Sequence, residues 1–165
     1  MEIYIRQAFI TDLPIIKSLA LSIWPETYSS ILSAQQIEYM LELFYSNNAL
    51  TNDFNKTGYH FFIINIDEVD SGYAGVEAKD NYTWHLHKIY LSQKFHGKGL
   101  GKVLIRYVEN FAKEHGASFL TLNVNRYNKS LHFYKACGYT ILKEENIDIG
   151  NGFFMNDYVM KKELK

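Results

Sequence analysis

The chain has 165 residues, of which 47% are hydrophobic, and a chain of this size forms one sizeable core, not two ordinary domains. Its 17 basic and 18 acidic side chains leave a formal net charge of −1, without the basic excess of a typical nucleic-acid-binding protein. No apolar run approaches the roughly 20 residues of a membrane span, the N-terminus lacks a signal-peptide pattern, and the single Cys137 excludes an intrachain disulfide. We therefore expect one soluble, cytoplasmic domain over residues 1–165 that binds neither nucleic acid nor a membrane.

The N-terminal third of the sequence predicts one strand followed by two helices. Ile3–Ala8 is typical of an opening strand. The segment 11–14 combines a capping side chain with a proline, which predicts the start of a helix. A second helix is expected to begin at Ser33, where Ser33 and Gln36 match a capping box. The polar, Asn-rich stretch 46–57 predicts a loop or a frayed extra turn.

The middle of the chain predicts an antiparallel meander of three strands, over residues 59–66, 72–79 and 82–92, with a turn at 67–71. A glycine-rich turn follows. Beyond it, apolar residues recur with helical spacing from Leu100 to Ala112, which predicts a long amphipathic helix.

The C-terminal part predicts a strand at 119–124, a short helix at about 129–137 and two final strands at 139–143 and 157–161. The strand–turn–helix–strand order in the centre forms a βαβ crossover, which favours parallel pairing of the strands around 82–92 and 118–125. We therefore predict an α/β fold with a mixed, mostly antiparallel central sheet and helices on both faces.

The glycine-rich turn from His96 to Gly101 lies between a strand and a helix, which is a setting that binds phosphate. Glycines let backbone N–H groups approach an anion, and the helix N-terminus adds its dipole. Lys98 and Lys102 add positive charge. The alternative is a connection that merely turns a corner.

Two phosphate-binding motifs do not match this turn. A P-loop requires a glycine where His96 stands and a hydroxyl where Val103 stands. The dinucleotide fingerprint requires glycine at Lys102 or at Leu104, depending on where it starts.

The turn resembles instead the acetyl-CoA loop of the GNAT-type N-acetyltransferase superfamily, Arg/Gln-x-x-Gly-x-Gly/Ala. Gly99 and Gly101 match this pattern, and His96 replaces the usual Arg or Gln. The segment 128–139 resembles a second family motif, in which Asn and Ala or Ser precede Phe-Tyr and Gly-Phe/Tyr. The two motifs stand in the family order, and the resemblance covers nearly the whole chain.

This resemblance implies an acyl-CoA N-acyltransferase fold and direct transfer of the acetyl group from acetyl-CoA to a primary amine in a ternary complex. It implies Tyr134 as the general acid that protonates the departing thiolate; the alternative is a buried core aromatic. Asn128 is expected to contact the cofactor, or to cap a helix. The full set of expected cofactor contacts is Ile89, Tyr90, Leu91, His96, Gly97, Lys98, Gly99, Leu100, Gly101, Lys102, Asn128, Ser130, Tyr134 and Lys135.

The general base is expected on the strands before the turn. Strand alternation places His85, His87, Ile89 and Leu91 on one face and Leu86, Lys88 and Tyr90 on the other. A histidine suits proton removal near neutral pH, so His87 is the leading candidate, and Glu77 is the competing carboxylate. His85 and His87 have no evident third ligand, so we expect no metal.

The acceptor is expected to contact the first two helices and the hairpin at 140–157. Trp24, Glu26 and Tyr28 resemble the acidic and aromatic lining that an amine needs, and this region resembles bacterial spermidine/spermine acetyltransferases; the alternative for each residue is a solvated helix surface. We expect a small amine or polyamine as acceptor. A protein N-terminus or lysine, or a non-catalytic acyl-CoA-sensing module, stay open as alternatives, and the C-terminal strands could form a homodimer edge.

Overall fold

A computed structural model describes residues 1–165. The chain contains seven strands and five α-helices, with single 3-10 turns at Ile10–Asp12 and Gln93–Phe95. In chain order the elements are β1 (Ile3–Ala8), α1 (Leu13–Tyr28), α2 (Ala34–Tyr45), α3 (Asn47–Asn55), β2 (Tyr59–Ile66), β3 (Val69–Ala78), β4 (Thr83–Leu91), α4 (Leu100–Glu114), β5 (Phe119–Asn125), α5 (Ser130–Ala136), β6 (Thr140–Gly150) and β7 (Phe153–Glu163).

The strands form one sheet in the order β1-β2-β3-β4-β5-β7-β6. Every neighbouring pair is antiparallel except β4 and β5, which run parallel through Thr83–Leu86 and Phe119–Leu122. Helix α4 makes the crossover between these two strands. The predicted fold class, with its parallel βαβ unit, is confirmed.

Each face of the sheet carries its own apolar core. Helices α4 and α5 cover one face, where Leu104, Val108 and Tyr134 pack against Leu120 and Leu122. Helices α1 to α3 cover the other face through a second cluster whose fully buried members include Ile16, Ala20, Leu50, Ile63 and Tyr73. None of the five helices combines the length and apolar character that a membrane crossing requires.

A bulge in β4 decides which side chains reach the site. Gly75 pairs with Lys88 but its neighbour Val76 pairs with Leu86, so His87 is an extra residue on β4. An extra residue reverses the alternation of side chains beyond it. Leu86 therefore lies on the α4 face together with Ile89 and Leu91.

The predicted alternation of β4 is therefore wrong. It had His85, His87, Ile89 and Leu91 on one face, but Ile89 and Leu91 pack under α4 whereas Tyr90 packs against the α1 face. Pairing between β4 and β5 also ends at Leu86 and Leu122. The two strands separate beyond this point, and a cleft opens between them.

Two further predictions need correction. The stretch 46–57 is mostly helix α3, not a loop: Ser46 Oγ accepts a hydrogen bond from the N–H of Ala49 at 3.2 Å and caps it, and fully buried Leu50 anchors it to the core. The final hairpin is also longer than predicted, because β6 and β7 pair from Thr140 and Lys161 as far as Gly150 and Phe153. Self-association through this edge stays a prediction.

Candidate active site

The turn between β4 and α4 forms a cradle of free backbone N–H groups. Gly97 and Gly99 have φ angles of +76° and +78°, a left-handed conformation that glycine adopts without strain. A Cβ at either position would meet no atom within 4 Å, so the space in front of the turn is open. No backbone N–H from Gly97 to Lys102 donates a hydrogen bond within the protein. The cradle can therefore bind an anion at the N-terminus of α4.

His96, the irregular position of the loop motif, is hydrogen-bonded to the end of the strand that precedes the turn. Its Nε2 lies 2.8 Å from the carbonyl oxygen of Leu91, a geometry in which Nε2–H donates to that oxygen. The imidazole thus ties the beginning of the turn to the end of β4. Its replacement of Arg or Gln leaves the backbone N–H groups of the cradle available.

A cleft of about 490 Å³ extends from the cradle between β4, α4 and α5. We name it the cofactor cleft, after the predicted cofactor contacts that line it. The predicted cofactor residues that line it are Ile89, Tyr90, Leu91, His96, Gly97, Gly99, Leu100, Gly101, Lys102, Ser130 and Tyr134. Lys98 lies beside the cradle, with its Nζ 5.8 Å from the ring centroid of Phe95, and Lys135 is exposed on α5 and lines no part of the cleft. Phe95 and Phe133 also line the cleft and were not predicted.

A narrower extension of about 100 Å³ continues from this cleft along the split between β4 and β5. Asn128 lies here, and its Oδ1 accepts a hydrogen bond from the N–H of Ser130 at 2.9 Å. The side chain therefore caps the first turn of α5, and the residue also lines the extension. The two predicted roles of Asn128 are compatible.

Tyr134 lies where the cleft and its extension meet. The residue is 8% exposed and borders both spaces, and its hydroxyl has no hydrogen-bond partner in the protein. Burial, with smaller contributions from Tyr28 and Cys137, raises the pKa of Tyr134 above its ordinary value. The phenol is therefore fully protonated near neutral pH and can donate a proton into the cleft.

The carboxylate of Glu77 on β3 is buried and accepts hydrogen bonds from three side chains. Its Oε1 accepts from His87 Nε2 at 2.8 Å and from Lys79 Nζ at 3.1 Å, and its Oε2 pairs with Lys56 Nζ at 2.6 Å. Burial raises the pKa of Glu77, but the hydrogen bonds from Lys56, His87 and Lys79 outweigh burial and hold the pKa at about 2. A carboxylate with this pKa is too weak a base for neutral pH.

His87 is instead held by that carboxylate in a defined orientation. The bond to Glu77 takes Nε2–H and leaves Nδ1 free, and the ring stacks on Tyr59 with centroids 5.4 Å apart. Burial lowers the pKa of His87 more than the hydrogen bond to Glu77 raises it. The imidazole is therefore neutral near pH 7 and can accept a proton at Nδ1.

His85 stands beside His87 with ring centroids 4.7 Å apart. Its Nδ1 lies 2.6 Å from Thr121 Oγ1, and burial followed by the nearby charge of His87 lowers its pKa to about 4. His85 is therefore a second neutral imidazole in the site. No three His, Cys, Asp or Glu side chains are arranged to hold a metal ion.

A second cavity, of about 420 Å³, lies on the α1 face of the sheet. We name it the acceptor cavity. Its aromatic wall consists of Trp24, Tyr28, Phe44, Tyr45, Tyr90 and Phe154, and its polar wall of Lys79, His85, His87, Lys88, Asn123, Asn125, Glu145 and Asp157. The predicted acceptor residues Trp24 and Tyr28 thus lie in its wall, whereas Glu26 is exposed on α1 and lines no part of it.

The acceptor cavity and the cofactor cleft meet at the split between β4 and β5. Five residues border both the cavity and the extension that reaches Tyr134, namely Tyr28, Leu86, His87, Tyr90 and Asn123. The hydroxyls of Tyr28 and Tyr90 share a hydrogen bond of 2.8 Å at this junction. We call the extension at this junction the passage. It brings the base candidate His87 and the acid candidate Tyr134 together between the acceptor cavity and the cofactor cleft.

Several residues of the acceptor cavity had not been predicted. Asn123 and Asn125 alternate with buried Leu122 and Val124 on β5, and two polar residues on one face of a central strand are a signal that could have identified them. Lys88, Glu145 and Asp157 carry no comparable signal, because they reach the cavity only through the β4 bulge and the β6–β7 hairpin.

Comparison with known proteins identifies the family to which the chain belongs. The sequence matches the model of the Acetyltransferase (GNAT) family over residues 17–139. The spermidine N(1)-acetyltransferase of Thermoplasma acidophilum is 29% identical, over 100% of this chain and 99% of that protein. The crystal structure of the PaiA N-acetyltransferase of Thermoplasma acidophilum in complex with coenzyme A is 26% identical, with a TM-score of 0.84 over 99% of both chains.

A GCN5-related N-acetyltransferase from Rhodopseudomonas palustris shares the fold at 20% identity, with a TM-score of 0.83 over 99% of this chain and 97% of that one. The resemblance inferred from the two sequence motifs is therefore confirmed, as is the enzyme class predicted from it, an acetyl-CoA-dependent N-acetyltransferase. The chain belongs to the GNAT family of acetyltransferases.

Proposed function

We propose that the enzyme transfers the acetyl group of acetyl-CoA directly to a primary amine of a small molecule, with polyamines as the leading acceptors. The observation that carries this proposal is the junction at the β4–β5 split, where the cofactor cleft and the acceptor cavity meet. Two substrates that enter from opposite sides can react there within one ternary complex.

The cradle residues would hold the pyrophosphate of acetyl-CoA, which supplies the acetyl group as a reactive thioester. The free N–H groups of residues 97–102 and the dipole of α4 favour a negatively charged group there. The glycines leave room for close approach, and Lys102 at the cleft adds positive charge. These features fit a diphosphate better than a neutral ligand.

Direct transfer is also supported by the state of the sole cysteine. Cys137 lines the cofactor cleft, but burial, followed by the charge of Glu109, raises the pKa of its thiol. A thiol with a raised pKa is a poor nucleophile near neutral pH. The amine of the acceptor is therefore the better candidate for attack on the thioester.

Two side chains would handle the protons. His87 accepts the proton that the amine loses, through its free Nδ1 and either directly or through water, and Glu77 stabilises the imidazolium that forms. Tyr134 donates its proton to the sulfur that leaves. The two groups border the same passage from opposite sides.

The polyamine assignment rests on the walls of the acceptor cavity and on one relative. Aromatic faces attract cations, and six aromatic side chains line the cavity together with the carboxylates of Glu145 and Asp157. The relative that is 29% identical over the full chain acts on spermidine, as its name states.

Release of free thiol from acetyl-CoA tests the proposal when polyamines, aminoglycosides, amino acids and peptides are offered in parallel. We expect the highest kcat/KM with a polyamine. Preference for a peptide would move the assignment to protein acetylation, and tight acetyl-CoA binding without turnover on any amine would move it to a sensing module.

A further inference from the structure

Asp157 is a buried carboxylate that faces the acceptor cavity with one oxygen unpaired. The residue lies on β7, is 4% exposed and lines the cavity. Its Oδ2 accepts a hydrogen bond from Asn123 Nδ2 at 3.3 Å, whereas its Oδ1 has no partner in the protein. Burial and, to a smaller extent, the charge of Glu145 raise the pKa of Asp157 above its ordinary value, and the opposite effects of Asn123 and Arg126 do not cancel them.

The other charged side chains of the cavity wall all have ionic partners. Lys88 pairs with Asp53 at 3.3 Å, and Lys79 pairs with Glu77 at 3.1 Å. Glu145 pairs with Lys143 at 3.0 Å.

No basic side chain lies within 4.0 Å of the Asp157 carboxylate. The histidines of the wall are held neutral by burial, which lowers the pKa of both His85 and His87. Asp157 is therefore the one charged side chain of the cavity wall without an ion pair. The guanidinium of Arg126 donates to the main-chain oxygen of Asp157 at 3.2 Å and lowers the carboxyl pKa, but it does not offset the effect of burial.

Asp157 lies just outside the passage where the acetyl group would be transferred, one side chain beyond Asn123, which donates to its Oδ2 at 3.3 Å. His87, Leu86 and Asn123 border both the cavity and the passage, but Asp157 borders the cavity alone. An amine must be neutral when it attacks, and a nearby carboxylate favours the charged ammonium. Asp157 is thus suited to a cationic group other than the reacting amine.

We infer that Asp157 binds a second, non-reacting ammonium group of the acceptor, so that the enzyme selects linear diamines and polyamines over monoamines. This inference rests on the proposed function. Between the two ammonium groups, a methylene chain would pack on the apolar side chains of Ile147, Met155 and Phe154, which line the cavity beside Asp157. A charge-assisted hydrogen bond to Oδ1 would supply the partner that this oxygen lacks.

The test compares 1,4-diaminobutane with 1-aminopentane, which carries a methyl group in place of the second ammonium. We expect wild-type kcat/KM to favour the diamine by at least about 30-fold, and D157N to lose about 30-fold on the diamine, mainly through KM, but less than about threefold on the monoamine. Glu144 is exposed on the neighbouring strand β6 and lines neither the acceptor cavity nor the cofactor cleft and its extension, so E144Q is the matched control and should retain both rates.

Two kinetic outcomes overturn the inference. A wild-type enzyme without preference for the diamine would show that no second cation is recognised. An equal loss of kcat on both amines in D157N would show that Asp157 handles the reacting amine or its proton instead.

Calorimetric titration of 1,4-diaminobutane without acetyl-CoA separates this inference from the proposed function. Binding to the wild type that weakens at least about tenfold in D157N supports the inference even if no acetyl group is transferred, in which case only the proposed function fails. Absence of diamine binding to the wild type overturns the inference. If D157N does not fold, D157E retains the charge and should keep a diamine preference reduced by less than about threefold. Loss of the preference in D157E would overturn the inference.

Discussion

The cofactor cleft and the acceptor cavity are built in different ways. The cofactor cleft is formed mainly by two continuous segments, 89–104 and 129–137, and its cradle consists of backbone N–H groups whose geometry follows from local glycines. The acceptor cavity is formed by side chains from α1, α2, β4, β5, β6 and β7, together with Lys79. A ligand site made of local backbone can be identified from a motif, whereas a site made of distant side chains depends on how the sheet brings them together.

The largest expected effect tests whether the cofactor cradle depends on backbone geometry. Gly99→Val introduces a β-branched residue at φ +78° and places methyl groups in the open space of the cradle. We expect acetyl-CoA affinity to fall at least about 100-fold, because the strain and the lost N–H contacts both oppose binding. Calorimetric titration with acetyl-CoA measures this effect.

Gly116→Val provides the matched control for that variant. Gly116 also has a positive φ, +97°, but it ends α4 far along the chain from the cradle. The Gly116→Val substitution should lower the unfolding free energy and leave acetyl-CoA affinity within about twofold. Unaltered affinity in Gly99→Val would contradict the assignment of the cradle.

The next effect tests whether Tyr134, which lies where the cofactor cleft meets its narrow extension, is the general acid. Tyr134→Phe removes the hydroxyl and leaves the ring that packs against Tyr139 and Phe133. We expect kcat to fall about 100-fold, at the lower end of the range typical of general acids, with acetyl-CoA affinity within about twofold. Tyr127 is 72% exposed, so Tyr127→Phe is the control, and an unchanged kcat in Tyr134→Phe would remove Tyr134 from the acid role.

A smaller effect concerns the base on the acceptor side. Glu77→Gln weakens the hydrogen bond that orients His87, and we expect about a tenfold loss of kcat/KM. Burial lowers the pKa of His87 while Glu77 raises it, so removal of the carboxylate lowers this pKa further. Since His87 accepts a proton only when neutral, the acidic limb of the pH profile should move to lower pH.

Initial rates between pH 5 and pH 9 measure this shift, with E144Q as the control that leaves the profile in place. If the acidic limb of the pH profile stays in place in Glu77→Gln, or moves to higher pH, then His87 is not the group that titrates. Glu77 also has a depressed pKa of about 2, so its contribution to stability is present above about pH 4.5 and is lost as the pH falls towards 2.

The smallest expected effect concerns the N-terminal cap of helix α3, which packs on the same face of the sheet as the acceptor cavity. Ser46→Ala removes the side chain that caps α3, and we expect the unfolding free energy to fall by about 1 kcal/mol. Helix α3 carries Asp53, the partner of Lys88, but the cap itself touches neither substrate space, so kcat should change little. Urea unfolding measures the change, and Ser22→Ala, an exposed serine of α1 without a hydrogen bond, should shift stability by less than about 0.5 kcal/mol.

Local sequence patterns predicted most of the strand and helix positions and the parallel pair at the centre. The errors fall where tertiary contacts override local preference. The Asn-rich segment that contains Leu50 becomes helix α3 because Leu50 is buried against the core. The hairpin at the C-terminus extends beyond its apolar residues because β7 pairs along its whole length with β5 and β6.

The amino-acid sequence by itself determined the family, the acetyl donor class and the position of the cradle. Each of the two motifs that carry this information is local: the glycines at 97, 99 and 101 form one, and the aromatic pair at 133–134 belongs to the other. Only the tertiary structure decided the acceptor side. The bulge at His87 turns that imidazole towards Glu77, and pairing of β5 with β7 brings Asp157 beside Asn125 and Asn123. Neither contact follows from spacing along the chain, since both depend on strand register, which the whole sheet sets through the burial of its two faces.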